Sequence, residues 1–150
     1  MLDEHGMRWD RDCPWGAACF VGLTDCRLKG KTVRERARIL VVEDEMLFAE
    51  TLVGLLEDDG FSAAGPARTV AGAMDIIESA AVDAALLDVR LIHELSYQVA
   101  YALKDRGIPF IFVTACRRLD LPLDLRSRPL VEKPFHPRAL LHTLREVLPA

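Results

Sequence analysis

The protein has 150 residues, of which 51% are hydrophobic and 28% charged, and its formal net charge at pH 7 is −4. This length suits one ordinary domain, and the hydrophobic content excludes a wholly disordered chain. The negative charge gives no general attraction to nucleic acid, and no apolar run approaches the roughly 20 residues of a membrane span.

Residues 1–36 differ from the rest of the chain and show no sustained helical or strand periodicity. They hold both tryptophans and the cysteines Cys13, Cys19 and Cys26, and they lack the basic start and apolar stretch of a secretory signal. The cysteine spacings are not those of a zinc site. We therefore predict a poorly ordered extension over residues 1–36 of a cytoplasmic protein. An alternative is that translation begins near Val33.

From residue 37 onward, apolar runs typical of buried parallel strands alternate with stretches of helical spacing. The first strand is predicted at Ile39–Val42 and a weaker second strand at Phe61–Ala64. The helix between them presents Leu47, Phe48, Leu52, Leu55 and Leu56 and ends at Gly60. Thr69 is the predicted N-cap of a second helix, which carries Val70, Ala73, Met74 and Ile77 on one face.

The pattern continues with strands at Ala84–Leu87, Phe110–Val113 and Leu130–Val131. One helix is predicted from about Ser96 to Asp105, and a last helix begins at Pro137. Pro122 excludes a long regular helix between the fourth and fifth strands. The sequence thus predicts an α/β fold with a five-stranded parallel sheet, helices on both faces, and a fourth helix that is short or irregular.

Chemically capable side chains follow four of the five predicted strands. Glu43 and Asp44 follow the first strand, Asp88 the third, Thr114 the fourth and Lys133 the fifth. The carboxyl ends of parallel strands meet at one edge of a sheet, so we expect these residues to converge. A single acidic residue after a strand is more often a helix cap or a turn residue. The prediction of a site therefore depends on these residues occurring together at the ends of four strands.

Three converging carboxylates repel one another unless a divalent cation lies between them, and their hard oxygen ligands favour Mg²⁺. The lysine ammonium and the threonine hydroxyl can donate hydrogen bonds to a bound anion. The arrangement predicts phosphoryl transfer onto a carboxylate, with Asp88 as nucleophile and with Lys133 and Thr114 stabilising the phosphoryl oxygens.

The segments Ile39–Glu45, Leu86–Val89, Phe112–Ala115 and Val131–Phe135 resemble the receiver domain of bacterial two-component response regulators. The resemblance covers about residues 37–149, and we assign the receiver domain to residues 37–150. It implies a flavodoxin-like strand order and a cis Lys133–Pro134 bond. It also implies these roles: Asp88 as phosphoacceptor, Glu43 and Asp44 as the acidic pair that helps Asp88 to hold Mg²⁺, Thr114 as switch hydroxyl and Lys133 as the lysine that contacts the phosphoryl group.

Two departures from the family pattern concern how a signal leaves the domain. Leu130 stands where receivers usually carry Tyr or Phe, so rotation of an aromatic ring cannot transmit the signal. The short segment after Thr114 resembles a subgroup of single-domain receivers with the motif Phe-Ala-Thr-Gly-Tyr, although Cys116 replaces the tyrosine here. We interpret Cys116 as a small apolar filler, with a redox role as the alternative. Arg117, Arg118, Arg126 and Arg128 indicate either a solvated loop or a basic rim that meets an acidic partner.

We expect a stand-alone receiver that is not an enzyme and acts by protein contact or phosphorelay. Its expected partners are a histidine kinase or phosphotransfer protein and an unknown downstream protein. Nucleic acid is not expected, because no helix-turn-helix segment or basic stripe is visible, and membrane is not expected, because no apolar run is long enough to span one.

Three alternatives remain. A degenerate receiver would bind partners without phosphorylation. A magnesium-dependent aspartyl phosphohydrolase of the haloacid-dehalogenase type would need a second aspartate where Arg90 stands. A flavodoxin-like cofactor protein is disfavoured because the acidic run at residues 43–45 would repel a phosphate.

Overall fold

A computed structural model of the protein describes residues 36–149. The predicted extension, with Cys13, Cys19 and Cys26, therefore lies outside the described residues except for Arg36, and its order stays a prediction.

The described chain forms five strands and four helices. The strands are β1 (Arg38–Val42), β2 (Ser62–Ala67), β3 (Ala84–Leu87), β4 (Phe110–Thr114) and β5 (Leu130–Glu132). The helices are α1 (Met46–Asp58), α2 (Val70–Ser79), α3 (Tyr97–Asp105) and α4 (Pro137–Val147). Thr69 caps α2 by accepting a hydrogen bond from the main-chain N–H of Gly72, and Pro137 opens α4, both as predicted. Within residues 36–149, no helix is long and apolar enough to cross a lipid bilayer.

The five strands form one parallel sheet in the order β2-β1-β3-β4-β5. This is the flavodoxin-like order, in which the direction of winding reverses between β1 and β3. The carboxyl ends of these two strands therefore open a crevice at the reversal point, and the fold prediction is confirmed.

Alternation along the strands divides the core into two layers, because successive strand side chains point to opposite faces. Ile39 and Val41 of β1 pack with α1 and α4 on one face. Leu40 and Val42 pack with α2 and α3 on the other. Every residue of β3 and β4 is buried, as continuous apolar runs in a sheet covered on both faces require.

The segment between β4 and β5 has no regular α-helix, as Pro122 predicts. It forms two 3₁₀ turns at Arg118–Asp120 and Leu123–Leu125. Arg118 Nη1 donates to the carbonyl oxygens of Arg126 and Arg128 at 2.5 and 2.8 Å. Short 3₁₀ turns leave carbonyl groups without helical partners, and here a guanidinium group supplies the donors.

Two details of the sequence analysis are wrong. The second strand is not Phe61–Ala64 but extends to Ala67, through Gly65 and Pro66. The strand β2 lies at the sheet edge, where the missing N–H of a proline need not break a ladder bond. The sequence predicts Leu47 on the apolar face of α1, yet it is 74% exposed, because it lies on the opposite side of the helix from the buried Ala49 and Leu52.

Candidate functional site

Glu43 follows β1 directly and is buried, with 1% of its surface exposed. Its Oε1 accepts a hydrogen bond from the main-chain N–H of Glu45 at 3.1 Å, and its Oε2 accepts one from Lys133 Nζ at 2.6 Å. Burial raises the pKa of Glu43 above its usual value, although the Lys133 hydrogen bond opposes the shift. Asp44, the next residue, is only partly buried.

Asp88 follows β3, the strand next to β1. Its main-chain N–H donates to the Val42 carbonyl at 2.9 Å, which continues the β1–β3 pairing into the site. Its side chain is 12% exposed, and Oδ2 accepts a hydrogen bond from Lys133 Nζ at 2.8 Å. Oδ1 accepts one from the main-chain N–H of Arg90 at 3.2 Å. Both carboxylate oxygens are thus oriented by donors of the protein.

Lys133 follows β5, two strands away from Asp88, and reaches back across the edge of the sheet. Its main-chain N–H donates to the Thr114 carbonyl at 3.0 Å, and the Lys133–Pro134 bond is cis. Burial lowers the pKa of Lys133, but the hydrogen bonds to Asp88 and Glu43 outweigh burial, so its pKa is raised on balance. The ammonium therefore stays charged between the two carboxylates.

Glu43, Asp44 and Asp88 form an acidic cluster in which one carboxylate oxygen of each residue lies within 4.8 Å of the others. When ionised, these three side chains and the Lys133 ammonium leave two negative charges uncompensated. Hard oxygen ligands with this excess charge suit a small divalent cation, so the cluster fits a Mg²⁺ site.

Thr114 ends β4 and is buried. Its Oγ1 accepts a hydrogen bond from the main-chain N–H of Cys116 at 3.2 Å. Among the hydrogen bonds of residues 36–149, none joins this hydroxyl to Asp88. The structure thus brings four predicted site residues into one cluster and places Thr114 at the end of the neighbouring strand.

The sequence analysis missed two residues that touch this cluster. Ser96 is fully buried, and its Oγ donates to the main-chain carbonyl of Asp88 at 2.5 Å. The sequence identifies Ser96 only as the start of a helix. The ring of Phe48 lies against Lys133, with 4.0 Å between Nζ and the ring centroid. No sequence signal distinguishes Phe48 from the other apolar residues of α1.

A third missed residue links the loop after β3 to the start of α2. The Glu94 carboxylate accepts a hydrogen bond from the main-chain N–H of Val70 at 2.7 Å, which adds a second cap to the one that Thr69 provides. The end of the loop that leaves Asp88 is thereby bonded to its own start through Ser96 and to α2 through Glu94.

The geometry presents an ionised carboxylate that needs no general base. Asp88 can direct an oxygen at an electrophilic phosphorus atom, and Lys133 can donate hydrogen bonds to the oxygens of that phosphoryl group. The arrangement is therefore suited to phosphoryl transfer onto Asp88.

Comparison with known proteins gives concordant matches. The family model of the response regulator receiver domain matches residues 39–145. The chain is 33% identical over 117 residues to the uncharacterized transcriptional regulatory protein YbdJ of Bacillus subtilis, covering 74% of this chain and 50% of that protein. It is 35% identical over 118 residues to the sensory transduction protein RegX3 of Mycobacterium tuberculosis, covering 73% and 50%. The chain thus spans about half the length of these curated relatives.

The solved structures include a relative that the chain covers almost completely. The solution structure of SdrG from Sphingomonas melonis Fr1 is 39% identical, with a TM-score of 0.67, and the match covers 75% of this chain and 96% of that one. A response regulator receiver protein from Sinorhizobium medicae, at 24% identity and a TM-score of 0.66, shares the fold over 76% of this chain and 95% of its own.

Proposed function

The chain belongs to the response regulator receiver domain family of two-component systems, and we propose that it accepts a phosphoryl group on Asp88. The observation that carries this proposal is the contact of Lys133 Nζ with Asp88 Oδ2 at 2.8 Å, beside the acidic cluster of Glu43, Asp44 and Asp88. Residues from the ends of three different strands converge there on one carboxylate.

The proposed reaction transfers a phosphoryl group from a phosphohistidine or a small acyl phosphate. An oxygen of the Asp88 carboxylate forms a new bond to phosphorus, and the bond from phosphorus to the donor nitrogen or oxygen breaks. The electron pair of that bond leaves with the imidazole or carboxylate of the donor. Hydrolysis of the resulting acyl phosphate by water returns Asp88 and inorganic phosphate.

Each site residue has a distinct proposed part. Lys133 moves one N–H hydrogen bond from Asp88 to a phosphoryl oxygen. The positive charge of the ammonium there offsets the negative charge that accumulates on the phosphoryl oxygens in the transition state. The Thr114 hydroxyl donates a hydrogen bond to another phosphoryl oxygen once the loop after β4 brings it close. Glu43, Asp44 and Asp88 would hold Mg²⁺, which when bound supplies charge neutralisation to the phosphoryl oxygens.

The donor protein is proposed to be a histidine kinase or a phosphotransfer protein, as membership of the family implies. The phosphorylated domain acts by protein contact or passes the group on, and it is proposed to work in the cytoplasm without enzymatic turnover of other substrates. A BeF₃-activated conformation has been solved for SdrG, which is 38% identical to this chain, and this supports the proposal that this chain also has an activated conformation. That the receiver stands alone, without contact to nucleic acid, stays a prediction.

Incubation with acetyl phosphate and Mg²⁺, followed by intact mass spectrometry, tests the proposal. We expect a gain of about 80 Da in the parent protein and none in Asp88→Asn. The matched control is Asp105→Asn, which changes an exposed carboxylate at the end of α3 and must be labelled like the parent.

The outcomes separate the functional alternatives. Labelling of Asp88→Asn would refute the assignment of the phosphoacceptor. Absence of labelling in all three proteins would favour a domain that binds partners without phosphorylation. Sustained release of phosphate from a general phosphatase substrate would favour the hydrolase.

A further inference from the structure

The ammonium group of Lys133 has an aromatic neighbour as well as two carboxylates. Its Nζ donates to Glu43 Oε2 at 2.6 Å and to Asp88 Oδ2 at 2.8 Å, and it lies 4.0 Å from the centroid of the Phe48 ring. A cation within about 6 Å of a ring centroid is attracted by the electron density of the ring face. The Lys133 side chain thus has three partners while only 18% of it is exposed.

The position of the Phe48 ring is fixed by a second aromatic residue. Phe48 lies in the first turn of α1, close in sequence to the acidic pair that follows β1. Its ring meets Phe135 edge to face, with 5.7 Å between centroids and an interplanar angle of 88°. Phe135 is two residues after Lys133, so the aromatic pair joins α1 to the segment that carries the lysine. An edge-to-face pair of this kind is a favoured packing arrangement for aromatic rings.

Phosphoryl transfer requires Lys133 to exchange one partner. Before transfer its N–H groups bond to two carboxylates, and afterwards one of them must bond to a phosphoryl oxygen. Hydrogen bonds to carboxylates are directional, whereas attraction to a ring face does not fix the direction of any single N–H group. The ring can therefore hold the charge in place while the hydrogen bonds are exchanged.

We infer that Phe48 is a positioning residue for Lys133, with its ring face keeping the ammonium beside Asp88 throughout phosphoryl transfer. This inference rests on the proposed function. It differs from a role in core packing alone, because it requires the ring electrons of Phe48 and not only its apolar volume.

Two substitutions separate ring electrons from apolar volume. Phe48→Leu keeps an apolar side chain without a ring, and Phe48→Tyr keeps the ring. Leu47→Ala is the control, because Leu47 lies in the same helical turn and is 74% exposed. Circular dichroism and thermal unfolding establish that each variant is folded, and Phe48→Met replaces Phe48→Leu if the latter does not fold.

Two measurements are made on each variant. The first is the NMR shift of the Lys133 ε-methylene protons in metal-free protein, which a ring face moves upfield. The second is the initial rate of labelling by acetyl phosphate at saturating Mg²⁺. In Phe48→Leu we expect the upfield shift to disappear and the rate to fall roughly three- to tenfold, the range that a cation–π contact supports. Phe48→Tyr and Leu47→Ala should keep both properties.

Other results overturn the inference. An unchanged labelling rate in Phe48→Leu would do so, as would equal losses in Phe48→Leu and Phe48→Tyr, because apolar packing would then explain the effect. A Lys133 shift that is the same in the parent and in Phe48→Leu would exclude the contact itself. If the parent protein is not labelled, the proposed function is refuted and this inference with it. If the parent is labelled but Phe48→Leu is labelled at the same rate, only this inference is refuted.

Discussion

Replacement of Ser96 by alanine tests how the protein holds Asp88 in place. The Ser96 hydroxyl is fully buried and donates to the main-chain carbonyl of Asp88 at 2.5 Å, while the Ser96 N–H donates to the Val89 carbonyl at 3.0 Å. Alanine keeps the second of these hydrogen bonds and removes the first. The substitution deletes a single heavy atom, so the backbone around it has little reason to rearrange.

The expected cost follows from the loss of a buried donor. Removing one partner of a buried hydrogen bond leaves the other unsatisfied, which costs about 1–3 kcal/mol. The cavity left by one oxygen atom adds little to this value. For a domain of this size, a loss of 1 kcal/mol lowers Tm by roughly 3–6 °C, so a loss near the middle of the range lowers Tm by roughly 6–12 °C.

Urea unfolding monitored by circular dichroism measures the difference. The control is Ser127→Ala, since Ser127 is exposed in the segment before β5, and a surface substitution of this kind changes stability by less than about 0.5 kcal/mol. The reasoning fails if Ser96→Ala and the control both have the same free energy of unfolding as the parent, within about 0.5 kcal/mol, and the same m-value. The hydrogen bond to Asp88 would then not stabilise the loop.

Four further substitutions test other parts of the structure. Gly65→Ala should destabilise the protein by more than about 1 kcal/mol in urea unfolding, because Gly65 has φ +97° and a Cβ would lie 2.7 Å from the Ala67 nitrogen. Gly54→Ala, in α1 with no atom within 4 Å of the new Cβ, should instead stabilise it by about 0.5–1 kcal/mol; equal effects would contradict both expectations. Asp44→Asn should weaken Mg²⁺ binding about tenfold or more in a calorimetric titration, since one charged ligand is lost, and unchanged affinity would exclude Asp44 from the metal site. Thr69→Ala should cost about 1 kcal/mol through loss of the cap to Gly72, and an unchanged urea midpoint would show that Glu94 caps α2 alone.

Much of the fold could be predicted because the sheet is covered on both faces. Such strands must be apolar throughout, so β1, β3 and β4 stand out from the sequence as continuous runs. Strand β2 lies at the edge and contains Ala, Gly and Pro, and therefore lacks this pattern. Its extent depends on pairing with β1, which is a tertiary contact that local sequence does not encode.

Which residues form the acidic cluster and which lysine contacts it could be predicted for a related reason. Parallel strands end at one edge of a sheet, so the residues after β1, β3 and β5 converge wherever the order of strands is known. The pairing of individual atoms could not be predicted in this way. The Ser96 hydroxyl donates to the main-chain carbonyl of Asp88, and Phe48 contacts Lys133 from a helix that the sequence identifies only as apolar on one side.

The arginines of the segment after β4 do more than their charge pattern predicts. The sequence predicts a solvated loop or a basic rim there; Arg118 is exposed, and both Arg118 and Arg126 also donate hydrogen bonds to carbonyl groups of the same segment. A segment interrupted by proline cannot satisfy its carbonyls by helical bonding, and side-chain donors replace that bonding. The result is an exposed segment that is braced by its own arginines.

This bracing bears on how the site communicates with the rest of the domain. Leu130, at the start of β5, packs partly buried against the core and offers no aromatic ring that could rotate. The Thr114 hydroxyl is bonded to the N–H of Cys116, at the entrance to the braced segment. The same segment is joined to α3 by the hydrogen bond between Tyr101 and Asp124 at 3.0 Å. Because the Thr114 oxygen accepts from Cys116, movement of this hydroxyl towards Asp88 acts directly on Cys116, and the braced segment and α3 are the first elements that such a movement reaches.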